Sequence, residues 1–135
     1  MPTKIIIDRK SGVVYSTLSG KIGTPDLVRH IAAIREHPDF DPSSNELIDA
    51  TEVTSLDISS ADIQAFAMQD SPFDASAKRV LVASDDLIFG LARMFQTFGG
   101  DRRPNFIVVR TLAEARKRLG SMTSLESGKF PARRC

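Results

Sequence analysis

Apolar positions along this chain switch between a period of about two and a period of three to four, and each switch marks a change of element. Lys4–Asp8, with three consecutive isoleucines, reads as a strand, Arg9-Lys10-Ser11-Gly12 as a turn, and Val13–Ser19 as a second strand. The chain therefore opens with a β-hairpin. Thr24-Pro25-Asp26 has the chemistry of a helix start: Thr24 can cap, Pro25 suits the first helical position and Asp26 favours the helix dipole. Leu27, Val28, Ile31 and Ile34 follow at helical spacing, and the pattern stops before Pro38. The residues from His37 to Ser44 form a loop, because a residue preceding proline avoids the α region.

Glu46–Ala50 predicts a third strand, followed by a polar loop that delivers Ser59 and Ser60 to a helix start. That helix carries Ile63, Phe66 and Ala67 on one face and ends before Pro72. Val80-Leu81-Val82, inside Lys78–Ala83, predicts a fourth strand, and Phe106–Val109 a fifth. Both runs are continuously apolar, the pattern of interior strands covered on two faces. Between them Asp85-Asp86 opens a helix with the stripe Leu87, Ile88, Leu91, Met94, Phe95 and Phe98, stopped by Gly99-Gly100. Thr111-Leu112-Ala113-Glu114 is a capping box for a last helix ending near Gly120.

The order β-β-α-β-α-β-α-β-α predicts an α/β domain with a mixed five-stranded sheet and four helices, starting near Pro25, Ser60, Asp86 and Leu112. One domain is expected over residues 1–120. The segment 121–135 has no apolar periodicity and is expected to be a disordered basic tail. Residues 1–99 hold nine basic and fourteen acidic side chains, whereas residues 100–135 hold nine and three. The net charge of +1 thus hides a basic C-terminal end, read as a solvated helix and tail.

Few chemical classes survive a search for motifs. Cys135 is the single cysteine, so no internal disulfide forms, and it has no prenylation context. His30 and His37, seven residues apart, lack the companions of a zinc set or a nucleophilic triad and are read as structural. No dinucleotide fingerprint, phosphate loop or nucleophile elbow occurs. Asp49, Glu52, Asp57, Asp85 and Asp86 gather near strand ends but at no metal-binding spacing, and are read as helix-capping acids. Arg102-Arg103 and Arg116-Lys117-Arg118 have no interleaved aromatics, so no nucleic-acid partner is expected. No enzymatic activity, catalytic residue, metal or cofactor is predicted. The N-terminal isoleucines are too few for a signal peptide, and the longest apolar run, Leu87–Ala92, spans about a third of a bilayer. A cytoplasmic protein with no membrane span is expected.

The element order, with Asp49-Ala50-Thr51-Glu52-Val53 followed by Leu56-Asp57-Ile58-Ser59-Ser60, resembles the STAS fold of anti-sigma-factor antagonists. Phe89-Gly90-Leu91-Ala92-Arg93-Met94-Phe95 is similar to the Phe-rich helix of its divergent SpoIIAA-like group. The resemblance covers about residues 4–119 and implies a bacterial regulatory module that works by binding protein. Phosphorylated members carry Asp-Ser-Ser-Gly after the third strand, and a partner kinase modifies the second serine. Here Asp57 matches the acid, Ile58 replaces the first serine, Ser59 matches the acceptor and Ser60 replaces the glycine.

Asp57, Ser59 and Ser60 therefore form the candidate recognition loop, with Ser59 either a plain helix cap or a phospho-acceptor. Met68 and Phe89 face away from the main stripes of their helices and are candidates for a homodimer or ligand surface. The leading expectation is a regulatory protein partner. The alternative is an apolar ligand, such as a lipid, held between helices and sheet. A filled core with an exposed Ser59 favours the first, and a large apolar cavity favours the second.

Overall fold

In the computed structural model, residues 2–123 are described, and their order is the expected one. Strands β1 (Thr3–Asp8) and β2 (Val13–Gly23) form the antiparallel hairpin. Gly12 sits at φ 69°, a left-handed turn conformation that a side chain disfavours, and the Asp8 carboxylate accepts from Lys10 N and Ser11 Oγ to close the turn. Helix α1 (Thr24–Glu36), β3 (Asn45–Asp57), α2 (Ser60–Met68), β4 (Arg79–Val82), α3 (Asp86–Gly99), β5 (Phe106–Val109) and α4 (Leu112–Thr123) follow. The sheet runs β1-β2-β3-β4-β5, parallel from β2 onward.

Side-chain alternation assigns the helices to the two faces. Val80 and Val82 of β4 pack with Ala115 and Leu119 of α4, whereas Leu81 packs with Ile63 of α2 and Ile88 of α3. Val14 packs with Ile34 of α1, and Leu18, on the same face of β2, joins the α2–α3 cluster. Three helices thus cover one face and α4 the other.

Helix starts follow local chemistry. Ser59 Oγ accepts from Asp62 N at 3.1 Å, Asp85 Oδ2 from Leu87 N at 2.9 Å and Ile88 N at 3.1 Å, and Thr111 Oγ1 from Glu114 N at 3.1 Å. At α1 the cap is one residue earlier than expected. Gly23 occupies the N-cap, and its N–H donates to the Asp26 carboxylate at 2.8 Å. Thr24 is already helical, and its hydroxyl donates instead to Asp62 Oδ2 at 2.9 Å, tying the starts of α1 and α2 together.

Other expectations need correction. Strand β3 does not end at Ala50; Thr51–Asp57 continues it, pairing with a β2 that runs past Ser19 to Gly23. The register shifts twice along this pair, between Thr17 and Ser19 and between Gly20 and Lys21, each time with one extra residue on β3. Strand β5 is an edge, not an interior strand; its run is continuously apolar because α3 and α4 cover its two faces. Leu87 is 65% exposed, since the buried line of α3 runs through Ile88 and Ala92. The α4 backbone stays helical to Thr123, beyond Gly120. The expected tail from residue 124, with Cys135, lies outside the described residues.

Candidate functional site

Between the three-helix layer and the sheet lies an apolar cavity of about 170 Å³. Its floor is the inward line Leu18, Ile48, Ala50 and Val53; Ile31, Phe66 and Phe95 stand opposite on α1, α2 and α3. The small Ala50 side chain is part of that floor.

One end of the cavity is polar. Glu46 is 2% exposed, and its carboxylate accepts from Ser16 Oγ at 2.8 Å and from Arg79 Nε at 2.9 Å. Register produces this triad: Glu46 lies directly opposite Arg79, and Ser16 follows by two residues the Val14 that lies opposite Glu46 on the other side. The Arg79 guanidinium stacks between Phe73 and Phe106, with ring centroids at 4.6 and 5.4 Å. A buried carboxylate is tolerated here because both its oxygens are occupied, one by a cation.

His30 forms part of the wall. It sits one turn before Ile34 on the inward line of α1, is 6% exposed, and neither ring nitrogen has a hydrogen-bond partner. Burial pushes its pKa below the ordinary histidine value, against the opposing pull of Glu46. Arg103 lines the cavity near the end of α2. Its Nη2 donates to the carbonyls of Phe66 and Gln69 at 3.0 and 3.2 Å, and its guanidinium lies 4.9 Å from the Phe95 ring. Its Nε is buried without a partner. Desolvation, with Arg79 and Arg102 nearby, lowers its pKa to about 10, which leaves it charged at neutral pH.

None of Ser16, Glu46, Arg79 or Arg103 was expected as a site residue, and His30 was read as structural. A signal existed for the first three. Glu46 and Arg79 are charged residues at inward strand positions, on the face that also carries Ile48 and Leu81, and Ser16 interrupts the line from Val14 to Leu18. Arg103 had no comparable pattern, because its role depends on where α2 ends in space.

The predicted recognition loop lies elsewhere. Asp57 is the last residue of β3, Ser59 caps α2, and Ser60 is its first residue; all three are exposed. Met68 is 50% exposed. Phe89 is half-buried against the main core cluster, with the Arg110 guanidinium 4.0 Å from its ring centroid. The other acids are locally engaged: Asp49 Oδ1 accepts from Thr51 N and Oγ1, Asp85 caps α3, and Asp86 pairs with Arg110 at 2.6 Å. His37 Nδ1 accepts from Asp39 N. Among the described residues no three His, Cys, Asp or Glu side chains cluster, and no helix is long and apolar enough to cross a membrane.

No protein-family model matches the chain, and no curated protein matches it significantly. Among solved structures it is similar to an uncharacterized protein of the DUF3478 family with a SpoIIAA-like fold, from Shewanella loihica PV-4. That structure superposes with a TM-score of 0.56 at 17% identity, over 87% of this chain and 93% of the other. The fold is SpoIIAA-like. The element order, the mixed five-stranded sheet with its hairpin and the four helices agree with the architecture expected from the sequence. Identity at this level carries the fold and assigns no ligand, partner or switch.

Proposed function

We propose that this SpoIIAA-like domain is a non-catalytic regulatory module that senses a small, largely apolar molecule held between its sheet and helices α1–α3. The observation that carries this reading is the 170 Å³ cavity with a buried, unpartnered histidine in its wall. Buried polar atoms are nearly always hydrogen-bonded, so an imidazole with no protein partner in a cavity wall offers a polar contact to a bound molecule. The polar groups favour binding over turnover. Ser16, Glu46 and Arg79 bond to one another, which leaves no nucleophile beside a free base.

The serine reading joins this one through α2. Ile63 and Phe66 of that helix line the cavity, and Ser59 caps its exposed end. Occupancy of the cavity would bear on the helix that presents the recognition loop to a protein partner.

Toluene titration followed by amide NMR tests the cavity. An apolar cavity of about 150 Å³ accepts a benzene-sized molecule. Wild type should saturate with shifts around Ile31, Ala50 and Phe95, and folded Ala50→Leu, which fills the space, should not. No saturation by wild type would refute the reading.

A further inference from the structure

Two residues of the cavity lining, His30 and Arg103, carry buried donors with no acceptor. Neutral His30 presents one N–H with nothing to receive it, and Arg103 has an unpartnered Nε–H. Glu46 is matched by Arg79, whereas Arg103 is half-buried and, among the described residues, forms no ion pair within contact distance; Asp70, which also lines the cavity, attracts it only from farther away. Its Nη2 rests on two neutral carbonyls. A partly desolvated cation beside an apolar void is stabilised by an anion that also brings an apolar body.

Size limits that body. Pockets for drug-sized molecules run to about 300–1,000 Å³, and this cavity is about 170 Å³. A single ring or a short branched chain fits it. Charge limits the head group as well. A phosphate monoester carries about −1.5 to −2 at neutral pH and three acceptor oxygens, and Glu46, whose charge reaches His30, opposes so large a negative charge. A carboxylate has one charge and two acceptor atoms for two orphaned donors.

We propose that the cavity recognises a small organic acid with a ring-sized apolar body, whose carboxylate is held by Arg103 Nε–H and the N–H of His30. The proposal rests on the cavity reading above and adds the class of ligand. Gly99 belongs to the same device: a Cβ there would lie 3.3 Å from Arg103 Cδ, so the bare backbone leaves room for the arginine to lie along the end of α3.

Three probes of equal girth separate the possibilities: benzoate, benzyl alcohol and toluene, titrated separately at pH 7 into wild type, Arg103→Gln and His30→Gln. The expected result is at least tenfold tighter binding of benzoate than of benzyl alcohol to wild type. That preference should fall at least tenfold in Arg103→Gln and weaken in His30→Gln, with toluene binding unchanged. If wild type binds all three alike, or binds toluene and rejects benzoate, the organic-acid proposal is overturned while the cavity reading stands. If it binds none, both fail. Should either variant not fold, the wild-type comparison alone still decides.

Discussion

Glu46 and Arg79 face each other across β3 and β4, and the Arg79 Nε–H donates to Glu46 Oε1 at 2.9 Å with both side chains largely out of water. Removing one partner of a buried pair strands a charge, at a cost of about 3–5 kcal/mol, whereas replacing both with apolar groups is often neutral. Urea unfolding should show Glu46→Ala destabilised by about 3–5 kcal/mol. The double variant Glu46→Leu/Arg79→Met should lose much less than the two single changes summed. Additive losses would show that the pair is not energetically coupled.

His30 gives stability a pH dependence of known sign. Its folded pKa lies below 6.5, so on acidification the unfolded chain takes up the proton first. Stability contributed by the neutral imidazole is whole above pH 6.5 and declines below it, down to the folded pKa. The slope from this residue is at most about 1.4 kcal/mol per pH unit. Denaturant midpoints at pH 7.5 and 5.5 should differ more for wild type than for His30→Leu. Equal differences would remove His30 as the source.

Ser59 separates capping from switching. Ser59→Ala should cost about 0.5–2 kcal/mol, because Asp62 N–H loses its acceptor. Ser59→Asp should keep most of that stability, since a carboxylate also accepts from the helix start and suits its dipole. If the loop is a phospho-switch, folded Ser59→Asp loses the partners that wild type captures. An unchanged partner set would leave Ser59 as a cap alone.

Self-association is a separate expectation. If Met68 lies in a twofold contact, Met68→Lys should convert a sedimenting dimer to monomer with little change in unfolding midpoint, since the side chain is 50% exposed in the isolated chain. A monomeric wild type would dispose of the dimer.

What could be read from the sequence was local chemistry. Ser59, Asp85 and Thr111 cap helices through bonds spanning two or three residues, so their starts are written in short segments. The second half of β3 was hidden because Thr51, Glu52, Thr54 and Ser55 imitate a loop. Their strand identity comes from pairing with Ser19–Gly23, about thirty residues away, and no local pattern records it. The cavity was hidden for the same reason. Ala50 looks like any strand alanine until residues of α1, α2 and α3 join it in one lining. Arg103, in a run of glycine and arginine, acquires its role only by reaching the carbonyls of Phe66 and Gln69.

A sensor cavity between Ala50 and the helices should be occupied in the living cell. Native mass spectrometry of wild type and Ala50→Leu, each purified from its own host without denaturation, measures this directly. The account predicts one small organic molecule bound to wild type, released on denaturation and missing from folded Ala50→Leu. Wild type at the mass of the bare chain, or the same adduct on both proteins, would contradict it.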